Sequence, residues 1–301
     1  MRSWLGQNKS KDEPGNRSES ITIRVIGDRS SGKTTYMAAL ARWPNTDLSS
    51  PVQAVSAFNE DGEALVEQAQ NILEQGLRLE PTRLESNINL PDYGLQIVLK
   101  EGLSWQNPTL DVGSQILTLT INCKDYSGEF FTDLLYRTGD SLLEEYLNDC
   151  SEADGILFLI DGIARRKDAE YARGVDKFLG LWRQLDTKQH RIALVLTKCE
   201  QPDLWIKRNQ PKALTQARFP QTHQRLESWQ RSGNGRVEYF TASAFGILGT
   251  RFPEANSQKI RRDRDGVTSV LKKPELWRPF GLVSPIYWLY AGKRHQALEQ
   301  V

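Results

Sequence analysis

The run Gly27-Asp28-Arg29-Ser30-Ser31-Gly32-Lys33-Thr34 matches the pattern G-x-x-x-x-G-K-[ST] at every fixed position. It follows a short β-rich segment, Ile21 to Ile26, and precedes a helix-forming segment, Thr35 to Arg42. A strand, a glycine-rich loop and a helix in this order form the context in which the pattern binds phosphate. We therefore predict a phosphate-binding loop within an α/β fold.

Each fixed residue of the loop has a chemical reason. Gly27 and Gly32 allow the backbone to approach phosphate oxygens, and the helix start adds a positive dipole end. Lys33 supplies a compact cation for the β- and γ-phosphates, and the Thr34 hydroxyl can ligate Mg²⁺. Contact with a nucleotide is expected from the whole loop and the first helical turn: Gly27, Asp28, Arg29, Ser30, Ser31, Gly32, Lys33, Thr34 and Thr35.

Further apolar runs predict the rest of the sheet. Tyr93 to Lys100 alternates like an edge strand, and four runs are typical of core strands: Ile116 to Cys123, Gly155 to Asp161, Arg191 to Thr197 and Val237 to Thr241. Helical patterns lie between them, and one amphipathic face is formed by Tyr171, Val175, Phe178, Trp182 and Leu185. This alternation predicts a three-layer α/β domain with a mostly parallel sheet of about six strands.

The remaining segments set the expected organisation. Residues 1–20 are polar and aperiodic and are expected to form a disordered leader, so that a single domain covers residues 21–301. Residues 44–115 form a long insertion with one helix at about 61–75. Residues 249–273 are polar and locally basic, which predicts a mobile loop.

A second motif follows the run that ends at Cys123. In Lys124-Asp125-Tyr126-Ser127-Gly128-Glu129, an acid at a strand end is followed three residues later by glycine. This resembles the D-x-x-G switch loop of GTPases. The resemblance implies that Asp125 holds Mg²⁺ through a water and that the Gly128 N–H bonds the γ-phosphate, so that loss of this phosphate releases the loop.

Two later loops bear on the choice of base. Thr197-Lys198-Cys199-Glu200 resembles the guanine-reading [NT]-K-x-D loop, with Glu200 in the place of the aspartate. In that family the lysine packs over the base and the acid accepts hydrogen bonds from the guanine edge, which implies these roles for Lys198 and Glu200. Ser243 and Ala244 resemble the short S-A loop whose backbone N–H contacts the guanine oxygen.

Together the four motifs resemble the Ras-like and translation-factor-like (TRAFAC) superclass of P-loop GTPases over about residues 21–245. The long first insertion is similar to that of bacterial domains of the double-GTPase type. The resemblance implies GTP or GDP and Mg²⁺ as ligands, with Lys33 and Thr34 in the catalytic machinery and Thr34 and Asp125 as the metal-holding pair.

Three positions depart from the family pattern. The first-switch threonine is assigned to Thr82, as a catalytic and metal-contacting residue, with Thr109 as its competitor. Glu129 replaces the glutamine that orients the attacking water, which predicts slow hydrolysis or the use of another group. Arg29 either faces solvent or, alternatively, reaches a phosphate or blocks a partner's arginine.

Composition narrows the cellular setting. The formal net charge is +1, so no global field favours nucleic acid, and no apolar run has the length of a membrane span. An odd number of cysteines in apolar segments argues against a disulfide framework and fits a reducing cytoplasm. The aromatic segment 277–290 is expected to pack on the sheet as a final amphipathic helix, with a partner or membrane-surface contact as the alternative.

These observations predict a Mg²⁺-dependent guanine-nucleotide switch that hydrolyses GTP slowly and is read by a protein partner. A P-loop ATPase or nucleotide kinase is one alternative, with the basic segment 249–273 as its only candidate lid. A scaffold that binds nucleotide without hydrolysis is the other.

Overall fold

The computed structural model describes residues 16–28, 30–43, 50–77, 91–101, 115–125, 130–137, 139–185, 190–249, 253–262 and 266–299. Seven strands form the central sheet: β1 (Asn16–Ile26), β2 (Val52–Ala57), β3 (Asp92–Glu101), β4 (Gln115–Asp125), β5 (Gly155–Asp161), β6 (His190–Thr197) and β7 (Gly235–Thr241). Their order across the sheet is β2-β3-β4-β1-β5-β6-β7.

The sheet is mostly parallel, as predicted. β4, β1, β5, β6 and β7 run parallel to their neighbours, whereas β2 pairs antiparallel with β3, and β3 with β4. The central strands β5 and β6 are nearly continuous apolar runs because both faces of the sheet are covered there. The carboxyl ends of the parallel strands meet at one edge of the sheet, where open α/β sheets bind ligands.

The structure adds one strand to the predicted sheet of about six and corrects two details of the strand predictions. The sheet has seven strands rather than about six, because β2 is short and carries small and polar residues that give no clear apolar pattern. β3 is consequently the second strand and not the edge strand. β1 begins at Asn16, earlier than the expected start at Ile21, because the polar residues before Ile21 extend the parallel ladder with β4.

Nine α-helices lie among the described residues: α1 (Lys33–Ala41), α2 (Glu60–Gln70), α3 (Phe130–Tyr136), α4 (Ser141–Glu152), α5 (Asp168–Leu185), α6 (Pro202–Trp205), α7 (Pro211–Arg218), α8 (Pro220–Arg231) and α9 (Val283–Ala291). A π-helical turn, Asn71–Gln75, extends α2. The insertion thus supplies β2, α2, this turn and β3.

Two cores lie on opposite faces of the sheet. Along β5, Leu157 and Leu159 face the core that contains α1, α2 and α9, while Ile156 and Phe158 face the core that contains α3 to α8. The predicted face of α5 is confirmed for Tyr171, Val175, Phe178 and Trp182, all of them buried in the second core. The result is a three-layer α/β arrangement.

The basic segment 249–273 was expected to be a loop, and its described part instead contains short strands. β8 (Ile247–Leu248) pairs with β9 (Glu254–Ala255), and β10 (Ser257–Arg262) pairs with β11 (Gly266–Leu271). Val270 and Leu271 are buried, so this hairpin has an apolar side that its basic composition conceals.

The aromatic segment packs on the sheet as predicted, but its helix differs in character. α9 begins at Val283, before Pro285, which lies in the first turn where proline is tolerated. Its residues from Val283 to Leu289 are buried on all sides, so the helix is not amphipathic. Within the described ranges, no helix combines the length and apolar character required to traverse a bilayer.

Candidate nucleotide site

The loop between β1 and α1 has the close-packed geometry that its two glycines permit. A Cβ on Gly27 would lie 2.4 Å from the Leu159 carbonyl oxygen of β5, so a side chain there has no room. Gly32 has a φ of 85°, in the left-handed region that favours glycine, and it begins α1. Between them the Ser31 N–H donates to the Asp28 carbonyl oxygen at 3.1 Å and tightens the turn.

Lys33 is folded onto this loop. Its Nζ donates to the Gly27 carbonyl oxygen at 2.7 Å and lies 3.4 Å from that of Asp28. Its side chain is buried, so the cation is held by backbone carbonyls at the place where a phosphate would need it. Thr34 and Thr35 follow in the first turn of α1, both half-buried.

Asp28 brings a carboxylate into the same loop. Its side chain is fully buried, and its Oδ2 lies 3.3 Å from Nζ of Lys167, which belongs to the turn Arg165–Lys167 between β5 and α5. Burial raises the pKa of Asp28, and the paired Lys167 opposes that rise. The sequence pattern for phosphate loops allows any residue at the position of Asp28. Lys167 was not among the predicted site residues.

Thr197 joins the candidate base loop to the phosphate loop. At the end of β6, its hydroxyl lies 2.7 Å from the Ser31 carbonyl oxygen and 3.1 Å from that of Ile160. A hydroxyl has one proton to donate, so these carbonyls share it. Two loops that are far apart in sequence are therefore in direct contact.

Lys198 is paired with an acid that sequence analysis did not assign. Its Nζ lies 2.6 Å from Oδ2 of Asp161, the last residue of β5. Lys198 has a φ of 61°, an unusual value for a residue with a side chain. An acid at the carboxyl end of a core strand was the signal used for Asp125, and the same signal could have identified Asp161.

Glu200 is the most buried acid of the base loop, at 4% exposure. Its Oε1 accepts from Gln201 at 3.3 Å, whereas its buried Oε2 has no hydrogen-bond partner among the described residues. Burial raises the pKa of Glu200; the hydroxyl of Ser243, Gln201 and the charge of Lys198 oppose the rise. A buried acceptor without a donor is expensive unless a ligand completes it.

The predicted S-A loop lies beside this acid. The Cys199 N–H donates to the Ala242 carbonyl oxygen at 3.1 Å, which ties the loop after β7 to the loop after β6. Ser243 exchanges backbone hydrogen bonds with Phe280, and the Ala244 carbonyl oxygen accepts from Trp277 Nε1 at 2.7 Å. Among the described residues, no backbone carbonyl accepts from the Ala244 N–H.

For the remaining predicted site residues, the structure gives no side-chain position relative to Lys33, Thr197, Lys198 and Glu200. Arg29, Thr82, Thr109, Gly128 and Glu129 lie outside the described residues. Asp125 is described only as backbone, the last residue of β4, in register with Val25 of β1. This register puts the end of β4 beside the start of the phosphate loop, and the two switch assignments stay predictions.

Comparison with known proteins gives only remote similarities. No family model matches the chain, and no curated protein matches it. Among solved structures, the chain is similar to an ADP-ribosylation-factor-like GTP-binding protein, the small COPII coat GTPase SAR1 of Encephalitozoon cuniculi, in complex with GDP. The identity is 13%, the match covers 74% of this chain and 69% of that one, and the TM-score is 0.33.

Two further similarities are of the same order. The signal recognition particle receptor SRb-GTP/SRX complex of Chaetomium thermophilum is 12% identical, with 76% of this chain and 92% of that one covered and a TM-score of 0.36. A GTP-binding protein of Sulfolobus solfataricus in complex with GDP is 10% identical, with 74% and 47% covered and a TM-score of 0.32. Similarity at this level assigns no function, which leaves that inference to the site's own residues.

Proposed function

We propose that this chain binds guanine nucleotides with Mg²⁺ and hydrolyses GTP to GDP, slowly and under the control of a protein partner. The observation that carries the proposal is the contact between the two loops, in which the Thr197 hydroxyl donates to the Ser31 carbonyl oxygen of the phosphate loop. Three residues after Thr197, the side chain of Glu200 has a buried carboxylate oxygen without a hydrogen-bond partner among the described residues. Guanine carries a ring N–H and an amino group, the donors that such an oxygen lacks. Adenine presents an acceptor there and would be repelled.

The residues fit a nucleotide polyphosphate at the other end of the site. Lys33 holds a positive charge on the loop, and Gly27 leaves the backbone bare where phosphate oxygens would approach. In our proposal Lys33 stabilises phosphate charge, while Thr34 and Asp125 hold Mg²⁺, which would neutralise the phosphates. Lys198, steered by Asp161, covers the base, and the Ala244 N–H donates to its oxygen.

The proposal extends to assignments that depend on the family resemblance. Gly128 would sense the γ-phosphate, Thr82 would close over the metal, and Glu129 would leave hydrolysis slow. A protein effector would detect the change in these loops. We also propose the TRAFAC superclass, with kinship to double-GTPase domains, and a cytoplasmic location, since all three cysteines are buried thiols and none forms a disulfide.

The test is an equilibrium titration of labelled GDP, GTP, ADP and ATP in the presence of Mg²⁺, for the native chain and Glu200→Ala. We expect the native chain to prefer guanine and Glu200→Ala to lose roughly 10- to 100-fold in guanine affinity, since two donors of the base lose their acceptor. Asp203→Ala, which removes an exposed acid on α6, is the matched control and should bind as the native chain does.

Two outcomes would redirect the proposal. A preference for adenine nucleotides, or a guanine affinity that is unchanged in Glu200→Ala, would favour the alternative of a P-loop ATPase or nucleotide kinase. Guanine binding with single-turnover hydrolysis no faster than background, with and without candidate partners, would leave the non-hydrolysing scaffold.

A further inference from the structure

Asp28 presents a problem for a loop that binds anions. Its carboxylate belongs to the loop itself and is fully buried, away from the water that would screen its charge. Glu170 of α5 adds a second negative charge nearby. Charges a few ångströms apart interact far more strongly in a protein interior than in water, so an ionised Asp28 would weaken the binding of any polyphosphate.

The structure also contains a cation placed to cancel this charge. Among the described residues, the carboxylate of Asp28 forms its one ion pair with Lys167, at 3.3 Å. The lysine of the phosphate loop itself, Lys33, is directed to backbone carbonyls and not to this carboxylate. The Phe131 N–H of α3 also faces Asp28, but it carries no net charge.

We propose that Lys167 is an electrostatic positioning residue of the nucleotide site, which neutralises Asp28 and so permits the loop to accept a polyphosphate. The inference rests on the proposed nucleotide-binding function and adds a residue to it from outside the sequence motifs. Lys167 acts through Asp28, and its contribution depends on the presence of that carboxylate.

A purely mechanical role for the pair makes a different prediction. If the ion pair served only to tether the turn 165–167 to the loop, removing either member would harm binding, and removing both would harm it as much. If Lys167 serves to neutralise Asp28, removing both charges together restores binding. The double substitution separates the two roles.

The experiment measures the affinity of labelled GDP and GTP with Mg²⁺ for Lys167→Met, Asp28→Asn and the double variant. Methionine keeps most of the lysine stem, and asparagine keeps the shape of aspartate. We expect Lys167→Met to weaken binding roughly 10- to 100-fold, because an uncompensated charge stays in the loop. In the Asp28→Asn background the same Lys167→Met substitution should change the affinity little, so the double variant should bind as Asp28→Asn does and more tightly than Lys167→Met alone.

The controls distinguish charge from folding. Lys167→Arg keeps the charge and should bind nearly as the native chain does, while Lys177→Met on α5 removes a lysine that forms no ion pair among the described residues. Unfolding midpoints of every variant show whether it is folded, and Lys167→Gln replaces Lys167→Met if the latter is not.

The outcomes separate this inference from the function on which it rests. A native chain that binds no nucleotide would overturn both. Native binding with an unaffected Lys167→Met variant, or a double variant as weak as Lys167→Met, would overturn the neutralising role of Lys167 alone.

Discussion

Glu200 is longer by one methylene than the aspartate of the guanine-reading pattern that its loop resembles. In the structure the longer side chain is accommodated by burial beside Ser243, with one oxygen bonded to Gln201 and the other without a hydrogen-bond partner among the described residues. Both acids present the same carboxylate, so the acceptor role that we propose for Glu200 does not require aspartate.

The raised pKa of Glu200 predicts a pH dependence of guanine binding. The base donates to an ionised carboxylate, whereas burial favours the protonated acid in the free protein. Affinity for GDP should therefore fall as the pH is lowered through the raised pKa, and at pH values near or below that pKa binding should release a proton. Calorimetry in two buffers of different ionisation enthalpy measures that proton directly.

Neighbouring groups set the control for this measurement. Ser243 and Lys198 oppose the burial that raises the pKa of Glu200, and burial also raises the pKa of the neighbouring Cys199 thiol. Glu200→Gln cannot ionise and should lose the proton release. GDP affinity that is constant or rises on acidification would contradict the role assigned to Glu200.

At this scale the sequence revealed which residues form the loops but not what they touch. Lys33 and Glu200 were identified because their motifs have fixed spacing. Lys167 and Asp161 were not, because ion pairs between different loops depend on strand order and register. Trp277, which bonds Ala244, lies in a segment that the motifs do not cover.

Between elements, the contact of α3 with α5 is decided by one glycine. A Cβ on Gly174 would lie 2.3 Å from the ring of Phe131, which is fully buried and cannot move aside easily. α3 begins at Phe130, directly after the predicted D-x-x-G loop. The contact of Phe131 with Gly174 therefore fixes the position at which the chain leaves that loop. The absence of a side chain at Gly174 thus positions the element next to the proposed γ-phosphate sensor.

The same substitution at two positions of α5 should have opposite effects. Gly174→Ala should destabilise the protein by about 1–3 kcal/mol through overpacking. Gly180→Ala should stabilise it by about 0.5–1 kcal/mol, since no atom lies within 4 Å of the added Cβ and alanine favours the helix. Urea unfolding of both variants measures the difference.

This interpretation requires the free energy of unfolding to fall in Gly174→Ala and to rise in Gly180→Ala. Two alanine variants that are equally stabilised would show that Phe131 yields to the added methyl group, and the positioning of α3 by Gly174 would then be wrong.

Elements were predictable from sequence where burial made their pattern simple. β5 matched its predicted bounds because every residue but the last is buried, which gives an uninterrupted apolar run. β2 was missed because small and polar residues on an edge strand give little periodicity. α9 was expected to show one apolar face, and its complete burial follows from contacts that a single segment does not reveal.

For the molecule as a whole, the proposed ligand would connect loops that already touch one another, for example at Thr197 and Cys199. We expect GDP at about 100 times its Kd to stabilise the fold by about 2.7 kcal/mol, since ligand binds the native state alone. For a chain of this size the thermal midpoint should rise by roughly 4 °C. ADP at equal concentration should raise it less.

A thermal scan with each nucleotide and Mg²⁺ provides the measurement, with Glu200→Ala as the variant in which the difference should vanish. Equal shifts from GDP and ADP on the native chain would contradict guanine selectivity.

The three-layer architecture followed from alternating strands and helices, but the full sheet did not. Strand order arises from long-range packing: β1 lies between β4 and β5, and Asn16 pairs with Ile116. Nothing local in the sequence records such a pairing. The two strands of the insertion, β2 and β3, likewise join the sheet through long-range packing that the local sequence does not record.

The contacts of the phosphate loop also govern when it can work during protein synthesis. Its residues emerge from the ribosome before the residues that they contact, since Gly27 packs against Leu159, and Ser31 receives its bond from Thr197. Chains are made at roughly 5–20 residues per second, so the nascent loop waits on the order of ten seconds or more for these partners. Until then the growing polypeptide carries the phosphate motif without the site that would give it a ligand.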